Sequence, residues 1–333
     1  MRIVDIRERA IGISRYRDPG IPSGGLTTSL VAVVTDVVRG GRPVTGYGFA
    51  SVGRYAQSGA LDMALWDAAA KIARLPLHQF LAGRLGRVAT GAPVSVYASG
   101  GYPYPDGDLA ALAQEIRQFT DLGFTHAKIK IGAQPLDEDR RRIEAAAAAL
   151  AGPGHLAVDA MNAYGPGQAQ AAAEALAPFG LWWFEDLCDP LDFATHGRVA
   201  ARYPHPIAAG EALFSAAEAD LLAQHAGLRR DRDILLFDPV HCYGLPGYLR
   251  IIDTLTARGW PRRAFWPHGG QLFSLHLVAA LGLGGAEANP LAFHPFHGPP
   301  AALPVTDGHV PLPDVPGIGF ELHDGARQAF QGL

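Results

Sequence analysis

Asp159, Glu185 and Glu211 each stand at or near the end of a short β-prone apolar run (LAVDA, WWFED and IAAGE) and follow one another at 26-residue steps. Acids offering only oxygen, one per strand, suit a hard divalent cation such as Mg²⁺, since three in register would otherwise repel. A fourth run, HAKIKIG, carries Lys128 and Lys130, which the two-residue period of a strand places on one side. Inside a protein two such amines need an anionic neighbour. A lysine beside another cation has its pKa lowered towards that of a general base. Asp238 comes 27 residues after Glu211, and His268 comes 30 further on. A carboxylate behind an imidazole fixes its tautomer and favours its charged form. Glu287, near an eighth strand position, is a candidate hydrogen-bonding partner for a substrate carboxylate.

These residues need a frame that brings distant strand ends together. From residue 94 the chain alternates short apolar runs with Ala- or charge-rich segments of helical character. The strands are expected at 94–99, 126–131, 156–160, 182–186, 207–211, 234–238 and 264–268, with helices between. One polar residue per strand–helix unit, always at the strand's C-terminal end, predicts a parallel barrel with its chemistry on one face. Before it, 2–9, 29–38 and 43–50 read as an antiparallel meander, with Arg39-Gly40-Gly41-Arg42 as a turn. The breaker-rich loop 18–25 is either a lid or a plain connector. A helix is expected over 59–73, and a shorter one follows Pro76. The last residues, rich in Pro, Gly and His, are expected to pack back on the N-terminal module. The fold class is therefore α/β: a modified TIM barrel, (β/α)7β-like, with a small truncated α+β N-terminal capping domain completed by the C-terminal tail. The division expected is 1–90, 91–298 and 299–333.

The 333 residues are 48% hydrophobic and 18% charged, which marks a folded globular chain with room for a large core. A net charge of −4 without a basic run argues against nucleic acid or an anionic membrane as partner. Two cysteines, Cys188 and Cys242, make no disulfide framework. No signal-peptide pattern or membrane-length apolar stretch is found, so a cytoplasmic protein is expected. His241, His294 and His297 read as structural, because no His-x-His pair closes the first strand. The glycines at 282, 284 and 285 only weakly suggest a phosphate loop.

Taken together, Lys128-Ile129-Lys130, the acids 159, 185 and 211, and the Asp238/His268 pair resemble the mandelate racemase branch of the enolase superfamily. ALDMALWDAAAKIARLPLHQFLAG looks like that family's helical link between cap and barrel. VYASGGYPYP, PHGGQ, GLGLGG and LPDVPGIGFE look most like its D-tartrate dehydratase group. The resemblance implies one Mg²⁺ per subunit on Asp159, Glu185 and Glu211, and a hydroxy-acid substrate bound by a homo-oligomer. It implies Lys130 as the base, His268 oriented by Asp238 as the acid, and Lys128 beside the enolate oxygen. Glu287 would face the substrate carboxylate, with Asn162 and Tyr102 also on the substrate side. The reaction implied is loss of water from D-tartrate to give oxaloacetate. Three features depart from the group. The chain runs from GRYAQ (53–57) straight into SGALDMALWD, without the family's inserted helical portion. The loop at 16–25 is unusually rich in Gly and Pro. Met161 stands third after Asp159, where Asn is usual, and Asn162 follows. Two other readings stay open: a barrel left weak or inactive by its short cap, and a racemase using Lys130 and His268.

Overall fold

The computed structural model describes residues 1–18, 20–50, 57–294, 296 and 298–333. Its first sheet is antiparallel, in the order β1 (Ile3–Gly12), β2 (Thr27–Arg39), β3 (Arg42–Phe49). Gly40 and Gly41, both at positive φ, form the two-residue turn that joins β2 to β3, since that hairpin needs the left-handed region twice. Helix α1 (Gln57–Ala73) lies directly on β3: a Cβ at Gly46 or Gly48 would stand 2.0 Å from a carbonyl oxygen of the helix. Helix α2 (Leu77–Arg84) completes this layer.

The second sheet is the barrel. Its parallel strands are β4 (Val94–Ser99), β5 (Ala127–Lys130), β6 (Leu156–Asp159), β7 (Phe184–Glu185), β8 (Ile207–Ala209), β9 (Ile234–Leu235) and β10 (Ala286–Ala288). They pair in the order β10-β4-β5-β6-β7-β8-β9. The expected strand at 264–268 reduces to a single bridge, Leu235 to Phe265. Backbone bonds still carry the ring round: Trp266 N–H donates to Leu235 O (2.9 Å), and Gly284 N–H to Phe265 O (3.0 Å). Helices α3 (Asp108–Asp121), α4 (Leu136–Ala149), α5 (Pro166–Leu176), α6 (Phe193–Ala200), α7 (Ala216–His225), α8 (Leu245–Ala257) and α9 (Leu272–Leu281) fall between successive strand positions. The expected α/β barrel class, with an N-terminal antiparallel sheet, is the one found.

Period-two alternation sorts the barrel interior into layers. Tyr97, Ala157, Trp183, Ala208 and Leu236 form one buried cluster, with Trp182 and Trp266 packed against it. This is an aromatic floor: the Tyr97 and Trp183 rings meet edge-on, their centroids 5.0 Å apart. Two residues beyond five of its members come Ser99, Asp159, Glu185, Asp238 and His268. The chain closes with β11 (His309–Val310), antiparallel to β4, and α10 (Asp324–Phe330). Phe330 stacks on Tyr47 at 4.6 Å and Phe320 lies 5.1 Å from Phe49, so this last segment covers the first sheet. No helix among the described residues is long and apolar enough to cross a membrane.

Candidate active site at the loop end of the barrel

Register brings the acids together. Asp159 and Glu185 are direct partners across β6 and β7. Glu211 lies beyond the end of β8, where Gly210 at φ +125° turns the chain, an angle that L side chains rarely adopt. One oxygen from each of the three lies within 4.8 Å of the other two. Lys128 Nζ is 2.5 Å from Glu185 Oε1, 3.3 Å from Glu287 Oε1 and 3.8 Å from Asp159 Oδ2. Lys130 Nζ is 2.5 Å from Asp159 Oδ2. The other Glu185 oxygen accepts from the Trp183 indole N–H at 2.8 Å.

The electrostatics follow from burial and crowding. Burial pushes Glu185 up to about 8; Lys128 pulls it down, while Asp159 and Glu211 add to the rise. Burial also works against the Asp159 carboxylate, but Lys130 and Lys128 hold it below its usual range. Glu211 Oε2 is buried and accepts no hydrogen bond, although His268 Nε2 stands 3.2 Å away. A trio of converging oxygens, one without a donor, fits a hard divalent cation such as Mg²⁺.

Facing the acids is the imidazole pair. His268 Nδ1 meets Asp238 Oδ2 at 2.9 Å, so Nε2 is left towards Glu211 and, at 3.7 Å, Glu287. Burial disfavours the charged ring, but Glu211, Glu287 and Asp238 outweigh it and push His268 up to about 10. Asp238 is held in turn by the Val240 N–H (2.6 Å), and Glu287 by the Gly269 N–H (2.8 Å). A cavity of about 190 Å³ opens onto this face, lined by Lys130, His268, Glu211, Glu287, Tyr102 and Asn162, among others. Its size suits a small acid rather than a drug-sized ligand. A larger cleft, about 890 Å³, lies between the end of α3 and the 290–305 segment, but it contains none of the strand-end acids or lysines.

Asp159, Glu185 and Asp238 lie beneath the cavity lining rather than in it. Lys128, expected at the enolate oxygen, is also beneath: pairing sets it level with Ala157, one layer below Lys130, and its amine is taken up by carboxylates. The lowered pKa expected for Lys130 is not found. Burial, the largest single influence, and Lys128 act in that direction, but Asp159, Tyr102 and Glu211 together outweigh them and raise it. Asn162 donates from Nδ2 to Asp186 Oδ2 at 3.4 Å, and its Oδ1 is buried without a hydrogen-bond partner.

Several residues at this face escaped the sequence reading. His241, read as structural, lines the cavity with Nε2 3.7 Å from Asp238 Oδ2. Its signal was its place three residues after Asp238. Asp186 is fully buried beside the trio, and burial, Glu211, Asp159 and Glu185 push its carboxyl well up. Arg15, Asn289 and Phe293 also line the cavity, from segments with no period to betray them. His294 forms a backbone bridge to Ser14. Both cysteines are buried, Cys188 with its thiol pushed up to about 12 by burial, a poor setting for a nucleophile. His297 and residues 53–56 of GRYAQ lie outside the described residues.

Comparison with known proteins places this geometry. The profile of Enolase C-terminal domain-like sequences matches residues 111–326. Arabinonate dehydratase of Saccharolobus solfataricus is 29% identical, over 81% of this chain and 71% of its own. L-talarate/galactarate dehydratase of Salmonella typhimurium is 30% identical, over 84% and 67%. The 3,6-anhydro-alpha-L-galactonate cycloisomerase of Streptomyces coelicolor is 32% identical, over 79% and 68%. Among solved structures, a Streptomyces coelicolor racemase with bound magnesium superposes with a TM-score of 0.73, at 23% identity, over 96% of this chain and 97% of that one. L-talarate dehydratase from Polaromonas sp. JS666, complexed with Mg and L-glucarate, gives 0.68 at 21%, over 95% and 94%. These structural likenesses bear on the fold alone.

Proposed function

The chain belongs to the enolase superfamily, and from that premise we propose that it is a Mg²⁺-dependent dehydratase of acid sugars. The observation that carries this reading is one cavity holding Lys130 and His268, set over converging oxygens of Asp159, Glu185 and Glu211. Relatives named for arabinonate and for talarate or galactarate support the substrate class. The acids would hold Mg²⁺, which when bound supplies positive charge beside a substrate carboxylate and so steadies charge developing on it.

The chain's own groups would do the rest. Lys130 Nζ takes the proton from the carbon α to the carboxylate. His268, charged and backed by Asp238, gives its proton to the β-hydroxyl, which leaves as water with the C–O bond's electron pair. The C–H pair becomes the new double bond, and the enol ketonises to a 2-oxo-3-deoxy acid. Asp159 keeps Lys130 protonated in the present arrangement, so the base role requires that carboxylate's charge to be taken up elsewhere, as ligation does. Lys128, below the cavity, offsets Glu185 and Glu287 and keeps the packed acids in place.

Incubation with Mg²⁺ in heavy water against arabinonate, galactarate and D-tartrate tests the reading. D-tartrate, the substrate the sequence resemblance implies, would give oxaloacetate. The expected product is a 2-oxo acid from at least one of them. Deuterium entering an inverted but undehydrated acid would instead make the protein a racemase. Neither product from any acid would sink the dehydratase.

A further inference from the structure

Arg15 lines the cavity from the loop between β1 and β2, and both its chain neighbours are fastened to the barrel rim. Ser14 O accepts from the Phe293 N–H at 2.6 Å, beyond β10. Tyr16 Oη donates to Pro103 O at 3.0 Å, in the loop after β4. Within the loop the Ser14 and Ser23 hydroxyls lie 2.7 Å apart, and Ser23 Oγ also accepts from the Arg15 N–H at 3.1 Å. Ile13 is buried with Ala292 and Phe293, and Tyr102 packs against them. A backbone tied at both sides presents its side chain to the cavity without a loop having to be ordered first, which lowers the entropic cost of binding.

The Arg15 guanidinium stands 5.6 Å from the centre of the Tyr102 ring, with Lys130 Nζ 5.4 Å from the same centre. Lys130 is paired with Asp159 and Lys128 with Glu185, whereas Arg15 pairs with no carboxylate of the described residues. A planar guanidinium resting on a ring, without a carboxylate partner among the described residues and lining a cavity, matches a carboxylate through two parallel hydrogen bonds. Of the charged groups lining the cavity, Glu211 and Glu287 repel a second substrate anion, whereas Arg15 attracts it.

Resting on the acid-sugar reading, we infer that Arg15 recognises the distal carboxylate of a dicarboxylic acid sugar, so that the site selects aldarates over aldonates of equal length. Galactarate and D-galactonate differ only at that terminus and are the probes. Binding to the full chain with Mg²⁺ is measured by calorimetry, alongside turnover, for the parent protein, Arg15→Gln and Arg15→Lys. Galactarate is expected to bind the parent about 10–100-fold more tightly, the range for a charge-assisted pair. Arg15→Gln raises its Kd and KM by that factor, leaves kcat within about threefold and leaves D-galactonate unchanged; Arg15→Lys recovers part of the loss. Equal binding of both acids to the parent, or an equal loss of both in Arg15→Gln, overturns the inference. Turnover confined to D-galactonate would overturn it too and leave the dehydratase standing. Arg15-dependent galactarate binding without turnover would sustain it and remove the dehydratase.

Discussion

The indole N–H of Trp183 donates to Glu185 Oε2 at 2.8 Å, from two residues earlier on the same strand. A floor residue thereby orients an acid of the ring above, while Lys128 holds the other oxygen. Groups that orient metal ligands typically contribute about 10–100-fold in metal affinity. Trp183→Phe keeps the ring in the floor but deletes the donor. Mg²⁺ titration followed by calorimetry is expected to show affinity weakened by about tenfold or more, with the fold intact by circular dichroism. Unchanged affinity would leave Trp183 as packing only.

The Asp238 carboxylate sits 2.9 Å from His268 Nδ1 and is itself held by the Val240 N–H. Asp238→Asn preserves shape but removes the charge that favours a protonated imidazole. If His268 is the acid, kcat is expected to fall by roughly 10²–10⁴-fold with KM much less affected. Steady-state kinetics on the best substrate of the panel check this, and a variant of full activity would remove the dyad from the mechanism.

His276 of α9 is fully buried; its Nε2 is 2.9 Å from Ile318 O and its Nδ1 accepts from the His78 N–H at 3.1 Å. Burial, with His78 acting the same way, pushes it down to about 3 against the opposing effect of the Ile318 carbonyl. The unfolded chain therefore takes up a proton near pH 6.5 that the folded protein refuses. This contribution is fully present above that pH and is lost as pH falls from there towards 3. Chemical unfolding at pH 7.0 and 5.5 is expected to show the folded state weakening on acidification, and His276→Gln to lose part of that slope. An identical slope in the variant would discard the link.

Asp67 of α1 ties three parts of the molecule together. It accepts from the Tyr47 N–H (2.9 Å) in β3 and the Ile318 N–H (2.7 Å) in the tail, and pairs with Lys71 at 2.6 Å. Removing one partner of a buried pair leaves the others unsatisfied and costs about 3–5 kcal/mol. Asp67→Ala is expected to lower the urea midpoint accordingly, and a loss below about 1 kcal/mol would contradict the role given to the carboxylate.

How far the sequence reaches is clearest in the barrel. Asp159 and Glu185 were legible because each closes an apolar run, and spacing then implies the ring of strands. Glu211 was legible as an acid but not as a turn residue: β8 ends at Ala209, and Gly210 swings the carboxylate in. Lys128 and Lys130 look equivalent in a string of letters. Two residues along a strand are about 7 Å of depth, enough to put one amine under the cavity and the other in it. The floor was hidden because Trp183 and Tyr97 read simply as strand-prone residues. Arg15 was missed since loops carry no period and only tertiary contacts place it, whereas His241 was misread as structural despite its place three residues after Asp238.

Floor and ring are interleaved along strands of two to six residues, and that fixes what this molecule can tolerate. Deleting one residue from 156–158 would turn the acid out towards the surrounding helices and bring the Ala160 side chain into its place. Loops and helices around the barrel can be lengthened, trimmed or exchanged without disturbing that count. Grafting at the loop ends is thus the route by which this scaffold could be given new substrates, with its reacting groups left untouched.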